Sequence, residues 1–188
     1  VESQLRQNEQ KIQETQERDA VVRIIASYAI TDYSLPCTLF RIKERYSYHK
    51  YELNSSDSPA IVEQVMNNFS DVGFIYGESD VQDLACEYLG NSAIVLVTHY
   101  DRDMPEQLQI EQLTEYPLIG LNEKYEIKNI LKKNLQPHGF TYEDLSILFE
   151  TDSIEALKSS VSRGHGLSFL PYVAVKEEIY RNKFRLIP

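Results

Sequence analysis

The chain has 188 residues, 42% hydrophobic and 26% charged, with a formal net charge of −10. This suits one compact domain or two small lobes with an ample core, and excludes a generally disordered chain. No apolar run approaches a bilayer span, and the acidic surplus repels phosphate backbones, which excludes these residues as a good direct nucleic-acid binder.

Residues 1–19 are polar and lack Gly and Pro. They carry Gln4, Gln7, Gln10, Gln13 and Gln16, with a thin apolar seam of Val1, Leu5 and Ile12. The pattern reads as a helix that pairs with another or connects to something, or as a solvated tail. The layout is not that of a signal peptide. The first residue is not Met, as expected of a fragment or a processed chain.

From residue 20 strands and helices alternate. VVRIIA (21–26) predicts a buried strand. TDYSLPCTLFRIKERY predicts a helix with Pro36 in its first turn and Leu39, Phe40 and Ile42 on its apolar face. HKYEL predicts a second strand. SPAIVEQVMNNF predicts a helix capped by Ser58, with Pro59 at the first helical position and an apolar stripe of Ile61, Val62, Val65, Met66 and Phe69. DVGFIYG is the third strand. The β-α-β-α-β order is that of a parallel sheet covered by helices.

LACEYL and AIVLVTH then read as strands, followed by a polar stretch from Tyr100 to Glu115. YPLIG is a short strand, and residues 126–136 form an amphipathic helix through Ile127, Ile130, Leu131 and Leu135. After the strand SILFE comes a helix over about 153–163, with Ile154, Leu157 and Val161 on one face. Asp152 and Glu155 have capping-box spacing at its start. A helix over 172–180 and a strand KFRLI close the chain. There is no internal repeat.

Cys37 and Cys86 sit in apolar stretches and read as reduced core cysteines. The stretch VSRGHGLSFLP (161–171) raises the question of a ligand loop around His165. A dinucleotide loop runs strand, glycines, helix. Here the order is helix, glycines, strand, and Phe169 stands where the third glycine would be. Gly164 is therefore expected as a helix C-cap, Gly166 as a turn, and His165 as a structural or exposed turn residue.

The helix SIEALKSSV, the G-x-G, the apolar strand ending at Leu170-Pro171 and the helix after it together resemble the effector-binding domain of LysR-type transcriptional regulators. RIIASYAITDYSLP resembles that family's first strand, hydroxyl-bearing loop and first helix. SSDSPAIVEQVMNNFSDVGFIYG resembles its second helix and third strand, and NSAIVLVTH its crossover into the second lobe. The likeness covers residues 20–188. Residues 1–19 resemble its linker helix, which joins an N-terminal winged helix-turn-helix. His165, Ile25, Ser56 and Asp57 depart from the usual residues at their positions.

The resemblance implies an α/β, two-lobed, periplasmic-binding-protein-like (type 2) fold with two crossover strands near Val95–Thr98 and Leu170–Pro171. The expected division is a linker-helix fragment at 1–19, lobe I at 20–96 and 172–188, and lobe II at 97–171. It implies a small, anionic metabolite in the cleft between lobes. The matching positions are Ser27 and Tyr28 after the first strand, Ser58 at the second helix, Gly77 and Glu78 after the third strand, Gly120, Leu121 and Asn122, and Thr151. Ser27 reads equally as a local turn hydrogen bond, Ser58 as a cap, and Glu78 as a solvated loop acid. Ala29 counts against assuming sulfate. The resemblance further implies a cytoplasmic protein that forms homodimers of effector domains and homotetramers. It reaches DNA only through the winged domain, and it has no cofactor, metal or catalytic residue.

Two other readings compete: a free-standing solute-binding protein, and a small-molecule enzyme on the same fold. Against the enzyme, His49, His99, His138 and His165 lie in dissimilar contexts, and neither a nucleophile–base pair nor metal-ligand spacing is found. The acidic balance makes a further expectation. A mobility-shift titration of residues 1–188 at low and high salt should yield no tight, salt-resistant complex with any duplex.

Overall fold

The computed structural model describes residues 20–77, 79 and 81–188. The expected helix at 1–19 and the expected contact Glu78 lie outside the described residues.

The β-branched run at the start forms β1 (Val21–Ser27). It is the middle strand of a three-stranded sheet of order β2-β1-β3. β2 (Lys50–Ser56) pairs with it in parallel from Val21↔Lys50 to Ser27↔Ser56. β3 (Val72–Phe74) pairs in parallel on the other side, from Ile24↔Val72 to Ala26↔Phe74. A strand paired on both edges and covered by helices is buried on both faces, so Ile24, Ile25, Ala26 and Ser27 all lie inside.

Parallel neighbours require crossovers. The first holds two helices rather than the single one expected: α1 (Tyr28–Tyr33) and α2 (Leu35–Arg45). The break falls where Pro36 lacks the amide that a continuous helix would direct at the carbonyl of residue 32. Leu35 and Leu39 pack with Ile24 and Ala26. Phe40 is 66% exposed, because residues 39 and 42 share a face and 40 turns about 100° away from 39. The second crossover is α3 (Ser58–Met66), anchored by the buried Ile61. Phe69 lies beyond its end and is exposed.

One ion pair pins β3 onto β1. Asp71 accepts from the backbone amide of Arg23 at 2.7 Å and from the guanidinium Nη2 and Nε at 2.9 and 3.2 Å. Its own amide donates to the Arg23 carbonyl at 2.8 Å. The Arg23 hydrogen bonds hold the Asp71 carboxyl below its usual range.

Packing divides the chain between Cys86 and Glu87. The expected strand LACEYL is irregular. Tyr88 and Leu89 are 75% and 73% exposed, so no buried face holds a strand there. Cys37 and Cys86 are both exposed, which corrects the expectation of core cysteines. The apolar neighbour Leu35 takes the inward position on α2 while Cys37 faces water.

In the second unit, β4 (Ile94–His99) lies between β7 (Ser168–Pro171) and β8 (Phe184–Ile187), antiparallel to both. Ile94 faces Pro171 and Val95 faces Leu170, so the two segments expected as crossovers are neighbours. β5 (Leu118–Leu121) and β6 (Ile147–Thr151) form a parallel pair, linked through α4 (Ile127–Leu135). α5 (Ile154–Ser162) and α6 (Tyr172–Tyr180) complete the unit. Leu96, Leu113, Leu118, Leu135, Leu145 and Leu167 share its core.

The N-cap of α5 is Ser153, whose hydroxyl accepts from the Ala156 amide at 3.2 Å. This replaces the expected Asp152–Glu155 box: the Ser153 carbonyl already takes the first helical bond, from Leu157. At the other end Gly164 has φ +75. Its amide donates to Val161 O and that of His165 to Ser160 O, at 2.9 and 3.2 Å. This pair of bonds is a Schellman cap, and it leaves the His165 side chain exposed. Gly166 serves close approach rather than a turn. A Cβ there would lie 2.7 Å from the Pro117 carbonyl oxygen.

The Asp71 contribution to stability is present above the ordinary carboxylate range and is lost as pH falls below about 3.8, through its lowered folded-state pKa. The melting-temperature deficit of Asp71→Asn is therefore expected at pH 7 and should shrink as pH falls further below about 3.8. Thermal unfolding across that range checks it.

Candidate functional site

In parallel sheets, ligand groups gather at the carboxyl ends of strands. The β1–β2 register places Ser27 beside Ser56 at that end. The chain then enters α1 at Tyr28 and α3 at Ser58. Ser27 is 1% exposed, and its hydroxyl lies 3.3 Å from that of Ser58. Thr31 buttons α1 onto the strand end through a 3.1 Å bond from its hydroxyl to Ala26 O. Two expected site residues from separate crossovers thus meet.

Ser58 is not the helix cap. Asp57 has extended backbone angles, its carboxylate accepts from the Ala60 amide at 2.9 Å, and its carbonyl takes the first helical bond, from Ile61. Ser58 is the first helical residue and Pro59 the second. Because proline offers no amide, the cap reaches past it to Ala60. Relieved of capping, the Ser58 hydroxyl turns to Ser27. The Asp57 charge also complements the positive end of the α3 dipole, so this helix start does not greet an anion unopposed. Gly77, exposed after β3, has φ +87, a left-handed conformation that side chains oppose.

The second unit repeats the strand-end arrangement. The β5–β6 register sets Leu121 beside Thr151. The Asn122 amide donates to Thr151 O at 3.0 Å, and its Oδ1 accepts from the Lys124 amide at 3.1 Å. The Thr151 hydroxyl accepts from the Ser153 amide at 3.2 Å. Gly120, Leu121, Asn122 and Thr151 are thereby brought together. The Leu121 side chain is buried, which leaves its backbone for any ligand. Tyr125 reaches across from the β5 loop to Asp152 O at 3.3 Å.

The sequence reading missed Asp57 as a cap and missed Lys128, Tyr142 and Glu150 beside Gly120. Nothing in spacing marks the latter three, since they come from three different elements. The one hint was Gly120 itself, a glycine inside a strand. Among the described residues no group of three or more His, Cys, Asp or Glu is placed to hold a metal, and no helix is long and apolar enough to cross a membrane.

A parallel three-stranded sheet with hydroxyls at its strand ends is followed along the chain by a second unit of strands and helices. The sequence profile of the LysR substrate binding domain matches residues 15–188, and the chain belongs to that family, whose α/β fold is the two-lobed, periplasmic-binding-protein-like one. It is 25% identical over 167 residues to the phosphonates import ATP-binding protein PhnC of Anaeromyxobacter dehalogenans, covering 88% of this chain and 34% of that protein. It is 25% identical over 172 residues to the HTH-type transcriptional regulator YofA of Bacillus velezensis, covering 92% and 57%. The regulatory domain of Synechocystis CcmR in complex with 2-PG superposes with a TM-score of 0.77 at 17% identity, covering 89% of this chain and 80% of that one. The chain thus spans between a third and a little over half of these two relatives' length.

The cap assignment makes a prediction. Asp57→Ala should cost about 1 kcal/mol of stability, and Ser58→Ala only a few tenths. Urea unfolding of both variants checks the ranking.

Proposed function

We propose that the chain is the effector-sensing part of a LysR-type DNA-binding transcriptional regulator. On this reading it recognises a small polar metabolite first through the Ser27–Ser58 hydroxyl pair. That pair, 3.3 Å apart at the carboxyl ends of two parallel strands, is the observation that carries the reading. Two converging hydroxyls suit carboxylate or hydroxyl oxygens. With the Asp57 carboxylate capping the adjoining helix, an effector group at this end carries at most one negative charge. A dianion there would meet a like charge at close range. By the same strand-end argument Tyr28, Gly77, Gly120, Leu121, Asn122 and Thr151 are proposed as further contacts, and Glu78 on the family resemblance alone.

The protein would have no catalytic activity and would be cytoplasmic. Its effector domains would pair into homodimers, and the full-length protein into homotetramers. It would reach DNA only through a separate N-terminal domain, controlling transcription by rearrangement of the oligomer. On the family resemblance we take lobes of 20–96 with 172–188, and 97–171, as the bodies that move, a division that differs from the packing break between Cys86 and Glu87. The side-by-side strands β4 and β7 (Val95↔Leu170) support a hinge at that point.

A thermal-shift screen of 2-PG, monocarboxylates, amino acids, sulfate and phosphate tests the reading, because a ligand of the folded state raises its melting temperature. Singly charged compounds are expected among the stabilisers. For any stabiliser, Ser27→Ala and Ser58→Ala should each weaken binding about tenfold, the loss of roughly one hydrogen bond. His165→Ala should leave it unchanged. A stabiliser indifferent to both serines, or sensitive only to His165, contradicts the site. Turnover of a stabilising compound contradicts the regulatory reading.

A further inference from the structure

Gly120 sits in β5. A Cβ added there would lie 2.5 Å from the phenolic oxygen of Tyr142 and 3.4 Å from Glu150 Cγ. Tyr142 comes from the short 3-10 turn Tyr142–Asp144, and its hydroxyl passes over the bare glycine to donate to Glu150 Oε1 at 3.0 Å. Glu150 is the register partner of Gly120 on β6. The same carboxylate pairs with Lys128 Nζ at 2.9 Å, and Lys128 belongs to the first turn of α4. The ammonium lies 5.0 Å over the Tyr142 ring and 3.8 Å from Glu123. Only 14% of the Lys128 side chain is exposed. Three elements therefore converge on one carboxylate.

The convergence adjoins, in sequence and register, the two loops proposed as effector contacts. Gly120 is followed by Leu121 and Asn122, and Glu150 by Thr151. Lys128 ties to Glu150 the helix that the first loop leads into, and Tyr142 seals the pair from the side. The Lys128 hydrogen bond holds the Glu150 carboxyl below its usual range, and burial together with Glu150 pushes the Tyr142 phenol up. The cluster stays charged, with a protonated phenol, across physiological pH.

We propose that Lys128, Tyr142 and Glu150 are positioning residues: they clamp the Gly120–Asn122 and Thr151–Ser153 loops together, and residue 120 is glycine because the Tyr142 hydroxyl occupies the place of its Cβ. The assignment of those loops to effector binding rests on the function proposed above. The clamp itself is testable without any effector.

The test compares Gly120→Ala, Tyr142→Phe, the double variant, Lys128→Met and Glu150→Gln in the full chain, by thermal melting and residue-resolved amide exchange. The informative amides are Asn122, which donates to Thr151 O, Lys124, which donates to Asn122 Oδ1, and Ser153, which donates to the Thr151 hydroxyl. Lys128→Met and Glu150→Gln should speed exchange at all three tenfold or more, while β1 amides keep their wild-type protection. Gly120→Ala should lower the melting temperature. Adding it to Tyr142→Phe should cost nothing further, because the phenolic oxygen it strikes is gone. Wild-type exchange at those amides in Lys128→Met and Glu150→Gln overturns the clamp. Additive losses in the double variant overturn the explanation of Gly120. Should Gly120→Ala fail to fold, Lys128→Met and Glu150→Gln still decide the clamp through exchange. An effector screen without hits leaves these readouts intact, and a failed clamp leaves the Ser27–Ser58 test intact.

Discussion

The parallel pairing of β1 with a strand on each side sets the terms for the first unit. A central strand has both edges hydrogen-bonded and both faces covered, so its end is a fixed and buried place. Ser27 stands there, almost fully buried. The one-to-one register with β2 then delivers the start of α3 to the same spot. A slip of one residue would turn every β1 side chain to the opposite face and carry Ser27 away from Ser58. The Arg23–Asp71 contact matters less for its solvent-exposed and screened ion pair than for holding β3 in that register, through the Asp71 amide on the Arg23 carbonyl and the Arg23 amide on the Asp71 carboxylate.

Division of labour at the start of α3 follows from a single proline. Pro59 removes one amide, Asp57 takes the next, and Ser58 is left to face the neighbouring crossover. A capping hydroxyl and a recognising hydroxyl have competing geometries, since one oxygen cannot point both down the helix and across the sheet. The acid that caps also lowers the capacity of this helix end for anions. On the proposed reading, recognition at this point depends on side-chain hydroxyls more than on the helix dipole.

Glycines in the second unit serve three separate physical needs. Gly164 accepts the left-handed conformation that closes a Schellman cap. Gly166 lets the Pro117 carbonyl approach, so that the chains around residues 117–119 and 167 can exchange hydrogen bonds. Gly120 opens space for a phenol to reach a carboxylate across a strand. The G-H-G motif, conspicuous in the sequence, thus belongs to helix termination and close packing, with His165 turned to solvent.

Much of the fold was legible in the sequence, because local signals carried it. Apolar runs of β-branched residues marked β1 and β4. Helical spacing marked α3 to α5. The helix-glycine-strand order ruled out a phosphate loop, and the ordered set of segments pointed to the family. Ser27, Ser58, Gly120, Asn122 and Thr151 were reachable by that same order. Other features were decided only by the tertiary structure. LACEYL has strand composition, but no buried face forms to hold it. Cys37 and Cys86 lie in apolar stretches, yet Leu35 takes the inward position beside Cys37 and no buried face forms around Cys86. Asp57 rather than Ser58 caps α3, because the choice depends on backbone angles and on the competing pull of Ser27. The cluster of Lys128, Tyr142 and Glu150 joins residues up to 22 positions apart, through a gap left by a missing methyl group. Periodicity along the chain reports which face of an element is apolar. It holds no information about which side chains from different elements arrive at one point, and that meeting is what builds a site.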